Sequence, residues 1–171
     1  MKCKTRIFKL AHHTKKRMAL TKAESDILSF LFSKYKQDAT IYVDIGSMLK
    51  EHKLDAVSVT ENLKRTEFIK PDIFITGNEV KCAIAMRGIM QINSAYVEEK
   101  ILAILKGLGE IGGFGNVMKI LGYERDNHQL GFDLANEMQN RDYIKLLYAS
   151  YTQNVISVEM LLPGKYIYDK L

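Results

Sequence analysis

Residues 106–117 read KGLGEIGGFGNV, and Gly107, Gly109 and Gly112 stand at the G-x-G-x-x-G spacing of loops that cradle dinucleotide phosphates. That chemistry needs a strand before the glycines and a helix opening at the third. The preceding segment EEKILAILK (98–106) has a helical period instead. The glycines are therefore expected to end one helix and turn the chain into the next. The histidines, His12, His13, His52 and His128, form no H-x-H or H-x-x-x-H pair. Cys3 with His12 and His13 could supply zinc ligands, but adjacent histidines in a basic tail read more simply as solvated. Glu98 and Glu99 are neighbours on a helix, so they point to different faces and make no acid–base pair. No G-x-S-x-G nucleophile elbow is present. No enzyme, no cofactor and no metal is expected.

The elements that position the remaining polar residues follow from caps and periods. Thr21 and Glu24 form a capping box ahead of Ile27, Leu28, Leu31 and Phe32. TIYV (40–43) reads as a short strand, and Asp44 as the cap of a second helix through about Lys53. Asp55 or Ser58 caps a third helix. FIKPDIFIT and EVKCAIAM then read as two strands joined at Gly77-Asn78. The second half repeats the series. Helices are marked by Ile101 to Leu105, by Val117 to Leu121, and by Leu130, Leu134 and Met138. Strands at 143–151 and 155–162 meet near Gln153-Asn154. EFIK at 67–70 aligns with DYIK at 142–145, ILSFL at 27–31 with ILAIL at 101–105, and Gly88 with Gly164. These offsets of about 75 residues argue for an internal repeat.

Helix, short strand, helix, helix, strand, strand is the order of a winged helix. SVTENLKRTEFIK (58–70) resembles the recognition-helix-to-wing segment of the winged-helix superfamily, with Leu63 and Ile69 at the family's spacing and Met138 and Ile144 matching them. The family's T-x-x-G at the end of the second wing strand reads Ala85-Met86-Arg87-Gly88 and Leu161-Leu162-Pro163-Gly164, so the glycine is kept and the threonine is not. The resemblance implies an α+β fold of two tandem winged helices, each with three helices and a β-hairpin wing. The expected organisation is a basic N-terminal arm (1–20), a first winged helix (21–93) and a second (94–171). Leu63 and Met138 are expected in the cores.

The resemblance also implies that each third helix offers its polar face to the DNA major groove. In the first copy that face is Ser58, Thr60, Glu61, Asn62, Lys64 and Arg65. In the second it is Gln129, Asp133, Asn136, Glu137, Gln139, Asn140 and Arg141. Asn, Gln and Arg make bidentate contacts to adenine and guanine. The chain's charge is uneven. Residues 1–22 hold eight of its 25 basic side chains and no acid, including Lys15, Lys16 and Arg17, while its 20 acids all lie beyond. Such an arm neutralises phosphates, or is a solvated terminus. The wing tips ITGNEV and SYTQNV carry no Lys or Arg, which a phosphate-gripping wing would want.

Two functions remain. One is a double-stranded DNA-binding protein, either a transcription regulator or a replication or maintenance accessory. The other is a non-catalytic adaptor that binds a protein partner or a second copy. No apolar run reaches the roughly 18 residues of a membrane span. No apolar stretch follows the basic start, so no secretory signal is expected. Cys3 and Cys82 form no CxxC and read as reduced thiols of a cytoplasmic protein.

Overall fold

The computed structural model describes residues 19–171, and the basic arm, with Cys3, His12 and His13, lies outside the described residues. Helix α1 (Lys22–Tyr35) opens on the capping box: the Glu24 amide donates to Thr21 Oγ1 at 3.2 Å, and the Thr21 amide to Glu24 Oε2 at 2.9 Å. Its stripe of Ile27, Leu28 and Leu31 is buried. There follow β1 (Val43–Asp44), α2 (Gly46–Glu51), α3 (Ala56–Arg65), β2 (Phe74–Thr76) and β3 (Glu79–Cys82). Strand β3 lies antiparallel between β1 and β2. The chain continues through α4 (Met86–Glu110), β4 (Phe114–Asn116), α5 (Val117–Leu121), a 3₁₀ turn (Arg125–Asn127) and α6 (His128–Asn140). It ends in β5 (Ile144–Ser150), β6 (Val155–Met160) and α7 (Leu162–Tyr168). Strand β6 lies antiparallel between β4 and β5. The fold is α+β, with two small antiparallel sheets.

One order of elements therefore occurs twice: helix, strand, helix, helix, strand, strand, helix. Helix α4 serves both series. It breaks at Asn93 (φ −144°, ψ 73°), where the side chain accepts from the Tyr96 amide at 3.2 Å, as Thr21 does from Glu24. The likeness reaches single atoms. Asp44 Oδ1 accepts from the amides of Gly46 and Val80, at 2.9 and 2.8 Å. Asn116 Oδ1 accepts from those of Met118 and Ile156, at 3.1 and 3.0 Å. Each side chain clamps a short helix to the central strand of its sheet. Glu67 (φ 60°) and Asp142 (φ 58°) make the same left-handed turn after α3 and α6. The next amides, of Phe68 and Tyr143, donate to Leu63 and Met138, each at 2.9 Å. Leu63 and Met138 are both fully buried.

Several elements depart from the sequence reading. Gly88 and Gly164 do not close a strand. They lie in the first turns of α4 and α7, packed under the carbonyls of Phe68 and Tyr143, which an added Cβ would overlap. Each half thus carries a trailing helix that the wing pattern did not predict. Strand β2 begins only at Phe74. Pro71 has no amide to give to a ladder, and Ile69 makes a single bridge to Ile84. Asp55 caps α3, accepting from the Ser58 amide at 2.7 Å, so Ser58 is not the cap. The glycines of 106–117 divide between two roles. Gly107 and Gly109 lie inside α4 and let Ile120 and Tyr168 pack against its backbone. Gly112 (φ 84°) and Gly113 (φ 91°) then turn the chain into β4, a short strand the sequence reading did not include, ahead of the helix expected at Val117 to Leu121. The order helix–glycines–strand is the reverse of the dinucleotide fingerprint.

Candidate nucleic-acid interface

Helix α3 exists because Asp55 caps it and because Ala56, Val59, Thr60 and Leu63 recur on one face. That periodicity decides which polar residues are available. Thr60, expected among the base-reading residues, is instead 2% exposed, and its hydroxyl donates to the carbonyls of Ala56 and Val57. A hydroxyl can bond back to its own helix, so Thr60 fits the core side that its position demands. Asn62 is half-buried and engaged. Its Nδ2 donates to Glu24 Oε1 at 2.6 Å, and its Oδ1 accepts from Arg65 at 3.1 Å. Burial pushes the Glu24 carboxyl up. Hydrogen bonds from the Thr21 amide and hydroxyl and from Asn62 outweigh it and hold the group below its ordinary value. Glu24 thus joins the start of α1 to the side of α3.

Ser58, Lys64 and Arg65 are exposed, together with Val57 and Glu61. Neither Lys64 nor Arg65 is paired with a carboxylate among the described residues. Lys15, Lys16 and Arg17 lie outside the described residues. Beside α3, an open groove is lined by Thr21, Glu24, Leu54, Asp55 and Ser58.

Helix α6 differs. The side carrying Gln129, Asp133, Glu137 and the following Arg141 is turned onto the rest of the chain. Tyr35, at the end of α1, donates to Asp133 Oδ2 at 2.8 Å. Gln129 Nε2 donates to the other carboxylate oxygen at 2.8 Å, and Lys70 Nζ stands 3.7 Å away. Tyr35 is 3% exposed, and burial together with the Asp133 charge pushes its phenol far above the ordinary range. Arg141 spans Glu137 at 2.6 Å and Glu98 at 2.7 Å, and touches Met90 Sδ at 3.0 Å. These four residues of α6 and its end were expected on a reading face and are not available to one. Of the expected set, Gln139 and Asn140 are exposed, and Gln139 Oε1 accepts from the Leu146 amide at 2.8 Å. Nothing local in the sequence separated the two helices, because the partners of Asp133 and Arg141 outside this segment lie 43 to 98 residues away.

The wing tips, at Gly77-Asn78 and at Gln153-Asn154, carry no cation, and Lys81 near the first is paired with Glu79 at 2.8 Å. Apolar side chains stand out instead. Phe74 and Ile75 are about half exposed on β2, as are Leu147 and Tyr148 on β5. Among the described residues no three His, Cys, Asp or Glu are placed to hold a metal ion, and no helix is long and apolar enough to cross a membrane. No family model, curated protein or solved structure matches this chain.

Proposed function

We propose that this chain is a tandem winged-helix protein that binds double-stranded DNA through its first unit, as a transcription regulator or a replication or maintenance accessory. In this reading α3 enters the major groove with Ser58, Lys64 and Arg65. The arm, with Lys15, Lys16 and Arg17, neutralises phosphates beside it. The observation that carries the reading is the Glu24–Asn62 hydrogen bond. It joins α3 to the start of α1, which directly follows the basic segment in the sequence. Residues 19–171 hold 18 basic and 20 acidic side chains, so the chain's net positive charge comes from the arm.

The test is fluorescence anisotropy with labelled duplexes over a salt series. Deleting residues 1–17 removes seven basic side chains and no acid. Each phosphate contact contributes about 0.9 to the slope of log affinity against log salt, so four engaged cations flatten the slope by roughly 3–4. Arg65→Ala weakens binding with the arm intact, and relaxes preference at one base step if Arg65 reads a guanine. A full-length protein with no salt-dependent affinity tighter than about 10⁻⁴ M removes the DNA reading. The adaptor reading then takes its place. It is favoured by the engagement of α6 and by the apolar residues of β2 and β5.

A further inference from the structure

The two units meet head to tail, and among the described residues this leaves one uncovered copy of each half of the contact. In the second unit the side of α6 with Asp133 and Glu137 is the head. Tyr35 and Lys70 reach Asp133, and Met90, on the trailing helix of the first unit, meets Arg141. Met86 borders the same cleft as Asp133. At the offset of 75 that relates Leu63 to Met138, Asp133 and Glu137 correspond to Ser58 and Asn62. That side of α3 borders the open groove with Leu54 and Asp55. The tail is duplicated too. At the offset of 76 that relates Gly88 to Gly164, Met86 and Met90 correspond to Leu162 and Tyr166 of α7. Leu162 is 83% exposed and Tyr166 49% exposed. Lys70, the cation that faces Asp133, corresponds to Lys145, which is exposed.

We propose that a second copy of this chain fills the groove. Leu162 and Tyr166 of one copy dock beside α3 of the next, against Leu54 and Ser58. Charge supports this occupant: the tail offers Lys145, Lys165 and Lys170, and the groove is lined by Glu24, Asp55 and Glu61 against one cation, Arg65. The contact is heterologous, so it continues past two copies, into a ring where the rotation closes and into an open chain where it does not. It continues between molecules the arrangement that joins the two units within one. The inference rests on the repeat geometry, not on the DNA reading, and is tested without DNA.

Sedimentation velocity of the full chain, over a concentration series up to about 1 mM, near the weak end of specific association, is expected to give an average mass that rises past the dimer. Leu162→Glu and Tyr166→Glu block the tail, and Ser58→Arg blocks the head. Each alone is expected to stay monomeric, and thermal melts check that each is folded. A tail-blocked copy mixed with a head-blocked copy is expected to form a one-to-one pair and stop, because each supplies the half that the other lacks. A wild-type mass fixed at monomer or dimer overturns the inference, and so does failure of the mixed pair to form from folded variants. Self-association without DNA affinity would leave this inference standing and remove the proposed function. A monomer that binds DNA would do the reverse.

Discussion

Asp133→Ala probes the joint between the two halves most directly. The carboxylate accepts from Tyr35 and from Gln129, each at 2.8 Å, and faces Lys70 at 3.7 Å. A hydrogen bond to a charged group contributes about 1.5–3 kcal/mol, and a partly exposed ion pair adds at most about 1 kcal/mol. Truncation also leaves the Tyr35 hydroxyl buried without its acceptor. Asp133→Ala is therefore expected to cost about 2–4 kcal/mol. Asp133→Asn keeps an acceptor for Tyr35 and is expected to cost about 1 kcal/mol. Tyr35→Phe removes the donor, at about 1–2 kcal/mol. With the hydroxyl gone, removing the carboxylate costs less, so the double mutant is expected to fall short of the sum by about 1–2 kcal/mol. Urea unfolding followed by circular dichroism at pH 7 measures all four proteins. Additivity within about 0.5 kcal/mol would refute the contact. It would also return the side of α6 to the free polar surface.

Three further outcomes are expected. Gly164→Ala and Gly88→Ala each force a Cβ into a backbone carbonyl and should cost at least the roughly 1–3 kcal/mol of overpacking, seen as a lowered urea midpoint; a neutral result would place the trailing helices wrongly. Asp44→Ala should cost about 1 kcal/mol, and Asp44→Asn much less, because Asn116 makes the same clamp naturally. Bonds from the amides of Gly46 and Val80 hold the Asp44 carboxyl below its ordinary range, so its contribution is present above the unfolded value of 3.8 and lost as pH falls through the folded one. An unfolding series from pH 6 to pH 2 in wild type and Asp44→Asn, flatter in the variant, checks it. At the alkaline end, burial pushes the Cys82 thiol up from 9.0 to about 12 and raises the Tyr35 phenol above 10.0. Both groups stabilise fully below those unfolded values and lose the contribution as pH rises past them. Urea midpoints should therefore fall from about pH 9 upward, and less steeply in Tyr35→Phe.

Much of the architecture was legible because its causes are local. The capping box at Thr21 and Glu24 needs only four residues, and the stripe of Ile27, Leu28 and Leu31 only two turns. The turn at Gly77-Asn78 needs only the dipeptide. The repeat was legible because Gly88 and Gly164 answer the same close approach to a carbonyl. The trailing helices were not, because EVKCAIAM reads as strand as far as Met86 and the run 155–162 as far as Leu162, where the helices begin. What ends the strands is the bond from Ala85 to the Phe68 carbonyl, and from Leu161 to that of Tyr143. Each joins residues about 17 apart in sequence, beyond the reach of any window used to assign a strand.

The sequence alone determined which faces are apolar, and so most of the elements and their order, the trailing helices and β4 apart. Period and caps are properties of a few neighbouring residues, and Leu63 and Met138 were marked for burial by position alone. Tertiary structure decided which polar faces stay free. The outward faces of α3 and α6 have similar composition, and nothing in either segment tells them apart. The difference is made by Tyr35 and Lys70 reaching Asp133 across as many as 98 residues. That docking covers the side of α6, and among the described residues no such partner reaches the side of α3 that carries Ser58.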